Sequence, residues 1–346
     1  MSRPRAGNNF DLVRLVAALA VLLSHSFQLS YGNYRLEPVW QIGPHQATIG
    51  RVAVATFFIV SGYLITSSLH RRPDAWRFSL ARALRLLPGL AAMLLAVAIL
   101  AGPLLSTLGW REYLAHPQTH RFVAGNLLIF ANQEALPGVF EANPLPRVVA
   151  GSLWTLAYEV ACYGGVLALG LAGLLSRWPV LALYGALLVA NKLWIGGEWV
   201  EFGSFFAGGA VMYLWDVPLR SWVAWGCASL LLASLALTGF PIAAATAGVY
   251  LVIYLALMTR PLALGFGDLS YGTYIYGFPV QQAASLLLGA AVSWWANLLL
   301  SLPVVLALAW ASWRWVEAPA LAARPQMERR LFENLGSEPR GKPPAP

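Results

Sequence analysis

Ten stretches of mostly apolar residues, each about twenty residues long, run through this 346-residue chain. That is the length an α-helix needs to cross a bilayer. They lie at about 10–30, 48–69, 82–105, 148–172, 178–196, 199–215, 221–238, 241–259, 270–291 and 294–316. Hydrocarbon offers no partner to a backbone N–H or C=O, so segments of this kind must satisfy those groups internally, as helices. The expected fold is all-α: a polytopic integral membrane protein of about ten transmembrane helices. Charged residues make up only 11% of the chain, against about 25% in soluble domains, so an ordinary soluble enzyme is excluded. The sixth stretch is short and carries Phe205-Phe206-Ala207-Gly208-Gly209, small residues that let helix backbones come close.

An even number of spans puts both termini on one side. Under that topology the far side receives Arg35, Arg51, Arg111, Arg121, Arg147 and Lys192, and the N-terminal side the other seventeen of the 23 basic residues. Basic residues mark the cytoplasmic side, so both termini are expected in the cytoplasm. Residues 1–9 then form a cytoplasmic N-terminus and 10–318 the membrane domain. Residues 319–346, rich in Pro, Gly and charge, form a tail expected to be disordered. The first stretch lacks an A-x-A-like cleavage site, so no removable leader is expected. No fused extracytoplasmic domain and no internal repeat is read. The longest external loop, about 106–147, holds a short helix around Phe122–Phe130.

The formal charge of +8 follows from this orientation signal, and no nucleic-acid partner is expected. Cys162 and Cys227 both lie in apolar runs, with no C-x-x-C pair and no Cys/His cluster. Neither a disulfide nor a metal site is expected.

Ionisable residues inside apolar runs are costly and point to function. Arg14 and His25 are separated by eleven helical residues, which places them about 20° apart around one helix and roughly 16 Å apart along it. His25 is the one histidine of five inside an apolar run, and an imidazole suits general-base work near neutral pH. The bland alternatives are a packing histidine and an arginine that snorkels to the interface, paired with Asp11. Arg82 and Arg85 share a face at the start of the third run. Forked guanidinium groups suit phosphates, although orientation anchoring explains the pair equally well. Glu159, in the fourth run, is positioned to hydrogen-bond His25 or to orient an incoming hydroxyl; its bland role is partner to a buried arginine. Glu201 raises the same question near the end of the sixth run. Gly267-Asp268-Leu269-Ser270 reads as the start of a helix, with Asp268 or Ser270 as its cap. Tyr271 and Tyr274 follow one turn apart.

Taken in order, these pieces resemble the membrane-bound acyltransferase-3 family, which includes bacterial O-antigen and exopolysaccharide O-acetyltransferases. The matching residues are Asp11-x-x-Arg14 with His25, Phe57-Phe58-Ile59-Val60-Ser61-Gly62-Tyr63-Leu64-Ile65, and Arg82-x-x-Arg85-x-x-Pro88. Ser152-Leu153-Trp154-Thr155-Leu156 with Glu159 and Tyr163, Ser270-Tyr271-x-x-Tyr274, and Glu317-Ala318-Pro319 complete the series. Many relatives carry a histidine in the ninth span, where this chain has Gly277, so His25 is left as the candidate imidazole base.

The resemblance implies transfer of an acyl group, usually acetyl, from cytoplasmic acyl-CoA to a sugar hydroxyl. It implies His25, Arg14 and Glu159 as catalytic positions, and Arg14, Arg82 and Arg85 as donor-binding ones. Trp154, Tyr271 and Tyr274 are the expected acceptor contacts. Acetyl-CoA would serve as co-substrate, with no bound cofactor. The expected partners are the acyl-CoA donor, a glycan or lipid-linked saccharide acceptor, and membrane lipids. The competing reading is a transporter or flippase of a lipid-linked or small anionic substrate, with the Arg/His pair as a proton relay.

Overall fold

The computed structural model describes residues 8–334, apart from 259, 263, 264, 266, 290 and 291. Arg3, Arg5, Arg340 and Lys342 of the charge distribution lie outside the described residues. Among the described residues the regular structure is helical, and the one β interaction is a single bridge between Ser106 and Val139.

Each apolar run forms a helix. In chain order these are α1 (Phe10–Tyr31), α2 (Ile49–Arg71) and α3 (Ala75–Leu105). The long loop after α3 adds α4 (Trp110–Ala115) and α5 (Pro117–Leu127). Next come α6 (Trp154–Leu171), α7 (Arg177–Lys192), α8 (Gly197–Leu214) and α9 (Ser221–Ala236). Then α10 (Phe240–Met258), α11 (Ser270–Leu288) and α12 (Trp294–Ser312) complete the bundle. Among the described residues, six segments are long and apolar enough to cross a membrane: α1, α2, α3, α6, α10 and the stretch that begins with α12.

Two expected boundaries move. The loop helix begins at Pro117, not near Phe122, because proline fits a first helical turn, where its missing N–H costs nothing. Beyond Pro319, where a disordered tail was expected, helix continues through Ala318–Ala322 and then α13 (Arg324–Asn334). There Arg324 pairs with Glu328 one turn later, 2.7 Å apart, and Glu328 also meets Arg77 on α3 at 3.9 Å. These contacts hold a segment that composition alone would leave loose.

Helix starts follow ordinary capping chemistry. Thr48 accepts from the Arg51 N–H and Asp74 from the Arg77 N–H, each at 3.0 Å. Such caps satisfy N–H groups that the first turn leaves without partners. α1 ends at Gly32, whose φ of +72° suits a residue without a side chain.

α1 sits centrally, packed against α2, α11 and α12, while α2 packs on α8 and α6. The α2–α8 contact is backbone to backbone. A methyl at Gly62 would overlap the Phe206 carbonyl oxygen, and one at Gly209 would overlap that of Ile59. α9 rests on α10. Three π-helical turns interrupt the regular ladder, at Ala96–Ala101, Ala244–Gly248 and Trp313–Glu317; such turns re-aim the side chains around them.

Candidate active site

His25 is held at a fixed depth by polar groups buried where α1 meets α11. Gln281 donates to the carbonyl of Leu22 at 2.8 Å, and Ser285 to that of Leu29 at 2.9 Å. Asn297 of α12 closes the network, donating to the Gln281 carbonyl and to Ser285, each at 2.9 Å. Amides and hydroxyls in hydrocarbon need partners, and here they find them on neighbouring helices. The bonded carbonyls lie three residues before His25 and four after it. The Phe278 ring meets the imidazole edge-on, with centroids 5.1 Å apart. Gly277, at the position where relatives carry histidine, faces α1 here. A methyl there would lie 3.0 Å from Leu22.

The imidazole lines a cavity of about 530 Å³. Its other walls come from the ends of helices and from the loops that join them. Tyr34 and Trp40 belong to the α1–α2 loop, Ser152 and Trp154 to the entry into α6, Trp194 to the α7–α8 connection, and Glu198 and Glu201 to the first turns of α8. Gln46, Thr48, Arg51, Asn191 and Tyr274 complete the polar lining. Arg51 pairs with Glu201 through two N–H groups and lies 3.7 Å from Glu198. Tyr158 donates to Glu198 at 3.1 Å. Tyr274 bonds Thr155 and donates to the Ser152 carbonyl at 2.8 Å.

Glu37 stabilises the loop wall of this cavity. It is fully buried and accepts from Ser24, beside His25, at 3.1 Å, from the Trp40 N–H at 2.9 Å, and from the Ile49 N–H at the start of α2. The long loop between α3 and α6 is fastened to the same end, where Gln282 of α11 donates to the carbonyls of Leu145 and Val148.

A second cluster occupies the opposite end of the bundle. Arg14 lies 3.5 Å from Asp268, and Arg85 forms an ion pair with the same carboxylate. Arg85 also lies 3.7 Å from Glu317, with its guanidinium carbon 5.8 Å from the Tyr271 ring centroid. Tyr271 donates to the Leu86 carbonyl at 2.8 Å. Burial alone would raise the Asp268 carboxyl. The Arg14 and Arg85 guanidiniums outweigh it and, with hydrogen bonds from Ser270, hold it at about 2. Arg82 stands beside this network without a carboxylate within 4 Å among the described residues, and its buried Nε has no hydrogen-bond partner. Of the three arginines at this end, it is the one without a carboxylate partner among the described residues.

The candidates therefore fall into two groups. Arg14, Arg82, Arg85 and Tyr271 gather at one end, and His25, Trp154 and Tyr274 share the cavity at the other. Glu159 does not bond His25 and instead lies within electrostatic reach of Arg14, in keeping with the plainer role of partner to a buried arginine. Its carboxylate accepts from Ser61 at 3.1 Å and from Tyr163, one turn along α6. α6 packs its Glu159 face on α2, which supplies Ser61, and Tyr163 is the nearer donor.

Four participants escaped the sequence reading in whole or part. Asp268 was read as a cap and does accept from the Ser270 N–H at 3.0 Å, but its role as counterion to two arginines is new. Glu317 was seen only as part of a terminal motif. Glu37 and Arg51 lie in or beside loops, where the one available signal was an acid and a cation flanking the second apolar run.

Comparison with known proteins agrees with this architecture. A family model described as an acyltransferase domain (acyltransferase-3) matches residues 8–314. The chain is 30% identical over 334 residues to an O-acetyl transferase of Shigella phage Sf6, covering 90% of this chain and 95% of that protein. It is 29% identical over 368 residues to Nodulation protein 10 of Rhizobium leguminosarum bv. viciae, covering 93% and 95%. No solved structure matches the chain.

Proposed function

The chain belongs to the acyltransferase-3 family, whose members are membrane O-acyltransferases, and from that premise we propose that it moves an acetyl or other acyl group from cytoplasmic acyl-CoA to a hydroxyl of an extracytoplasmic or lipid-linked glycan. The proposal includes ten spans with both termini in the cytoplasm of a bacterial inner membrane. The observation that carries it is the imidazole of His25 in a polar, aromatic-lined cavity of about 530 Å³. On the same helix, roughly 16 Å away, Arg14 joins a basic cluster at the other end.

In this reading the donor nucleotide binds at the basic end. Arg82 is the strongest candidate for its phosphates, because Arg14 and Arg85 are already engaged by Asp268. The pantetheine arm then runs along α1 and brings its thioester to His25. The imidazole takes the proton of the acceptor hydroxyl as that oxygen attacks the thioester carbonyl. The new C–O ester bond forms, the C–S bond breaks, and the coenzyme leaves as a thiol carrying the proton. Transfer through an acyl-histidine is the alternative order of the same exchange. Trp40, Trp154 and Trp194 offer faces on which sugar rings stack, and Glu198 and Glu201 offer acceptors for sugar hydroxyls. Glu159, bonded by Ser61 and Tyr163, acts on the helix packing between the two ends.

The test is acyl transfer by purified, reconstituted protein from labelled acetyl-CoA to saccharides extracted from the producing cell. Wild type should consume acetyl-CoA and form an O-ester, and His25→Ala should lose the transfer while keeping wild-type abundance and unfolding behaviour. Full activity in His25→Ala overturns the catalytic assignment. A wild-type protein that moves saccharide across vesicles without consuming donor establishes the transport reading instead.

A further inference from the structure

A second, larger cavity of about 700 Å³ runs along the outside of α1. Its walls are apolar along most of their length, with Asn9 and Arg260 at one end and Gln46, Arg51 and Glu201 at the other. Val13 and Val16 of α1, Val52 of α2, Leu232 of α9 and Val252 of α10 all face it. Small residues keep the floor low: Ala17, Ala55 and Ala244 line it too, the last within a π-helical turn. Along α1 it reaches from Asn9 to Ala20, about 16 Å of helix.

This groove does not end blindly. Gln46, Ala47, Arg51, Glu201 and Pro241 line both it and the cavity that holds His25. The lining therefore changes from hydrocarbon to polar groups at one boundary. Gln46 fixes that boundary: it donates to the Ser234 carbonyl at 2.9 Å and accepts from the Phe240 N–H at 3.0 Å, tying the α1–α2 loop to the turn between α9 and α10.

We infer that the groove receives the hydrocarbon tail of a lipid-linked acceptor while its glycan occupies the His25 cavity, a deepening that rests on the acyltransferase reading above. One observation selects this occupant. The groove is continuous with the candidate catalytic cavity, so a molecule in both must be apolar at one end and polar at the other. The junction holds Arg51 already paired with Glu201 and close to Glu198, and the carboxylate oxygens there offer acceptors for sugar hydroxyls. Holding the tail converts capture of the sugar into an intramolecular step at high effective concentration.

Val16 and Leu232 are 56% and 70% exposed, so a bulkier side chain at either fills the groove without disturbing the buried core. The experiment measures acyl transfer to lipid-linked saccharides extracted from the producing cell, and to the same saccharides after the tail has been hydrolysed off. Val16→Trp and Leu232→Trp should raise the KM for the lipid-linked acceptor at least fivefold relative to that for the released glycan. Leu104→Trp, on α3 at an 86% exposed position away from the groove, should leave the ratio unchanged. A ratio unaltered by both groove variants overturns the tail site. So does a wild-type preference for the released glycan, and either result leaves the acyltransferase reading standing. A wild type that acylates neither preparation overturns that reading, and the tail site with it.

Discussion

Replacing Asp268 by asparagine removes the carboxylate shared by two arginines at the basic end of the bundle. The side chains of Asp268, Arg85 and Arg14 are 10%, 12% and 18% exposed, so solvent screens them little. The Asp268 carboxyl is held at about 2, below its ordinary 3.8, a difference worth about 2 kcal/mol in favour of its charged form. Removing one partner of a buried pair typically costs about 3–5 kcal/mol, because the remaining charges lose their compensation. Asp268→Asn should therefore destabilise the native state by about 2–5 kcal/mol at neutral pH. The native value lies below the ordinary one, so the carboxylate stabilises fully above about pH 4 and loses its contribution as pH falls through about 2. The deficit of the variant should accordingly shrink below pH 4. Reversible unfolding in mixed micelles at pH 7, 4 and 2.5 measures this directly. Pairing Asp268→Asn with Arg85→Gln should restore part of the loss, with a coupling of at least about 1 kcal/mol. A deficit under about 1 kcal/mol at pH 7, or one that does not vary with pH, would refute the counterion role.

Other outcomes follow from the same geometry. Arg82→Gln should raise the KM for acetyl-CoA by about 10–100-fold, the value of one charge-assisted contact, and the gap should narrow in high salt; kinetics at two ionic strengths report it. Glu37→Ala leaves the donors of Ser24, Trp40 and Ile49 without their acceptor at about 1–3 kcal/mol each. Amide exchange across residues 33–48 should accelerate, and acceptor kcat/KM should fall. Gly62→Ala sets a methyl against the Phe206 carbonyl and should cost about 1–3 kcal/mol, read as a lower unfolding midpoint in detergent.

The helices were legible because hydrocarbon imposes one pattern on every spanning segment, and each of the apolar runs became a helix within a few residues. Partner choice was not legible. Spacing placed Arg14 and His25 on one face of α1, but nothing local to Asp268 announced that residues 14 and 85 would converge on it from two other helices. Glu159 shows the same limit: its periodicity gave the helix, while Ser61, 98 positions away, gave the partner. Relatives supplied the functional residues as a series and said nothing of Glu37 or Arg51. Those two lie at loop edges, where a residue's surroundings are set by tertiary packing. The π-helical turn that carries Glu317 towards Arg85 has no sequence period of its own.

The seam between α2 and α8, where Gly62 and Gly209 let carbonyl oxygens stand in the space of a methyl, has no room to slide. The wall it forms behaves as a fixed jaw. α9 packs on α10 and is tied to the α1–α2 loop through Gln46; without such an interlock along its length, it lines the apolar groove from the other side as the opposing jaw. Entry and exit of a long-tailed molecule would then proceed sideways from the membrane, through the α9 side, with no need to prise the spine apart.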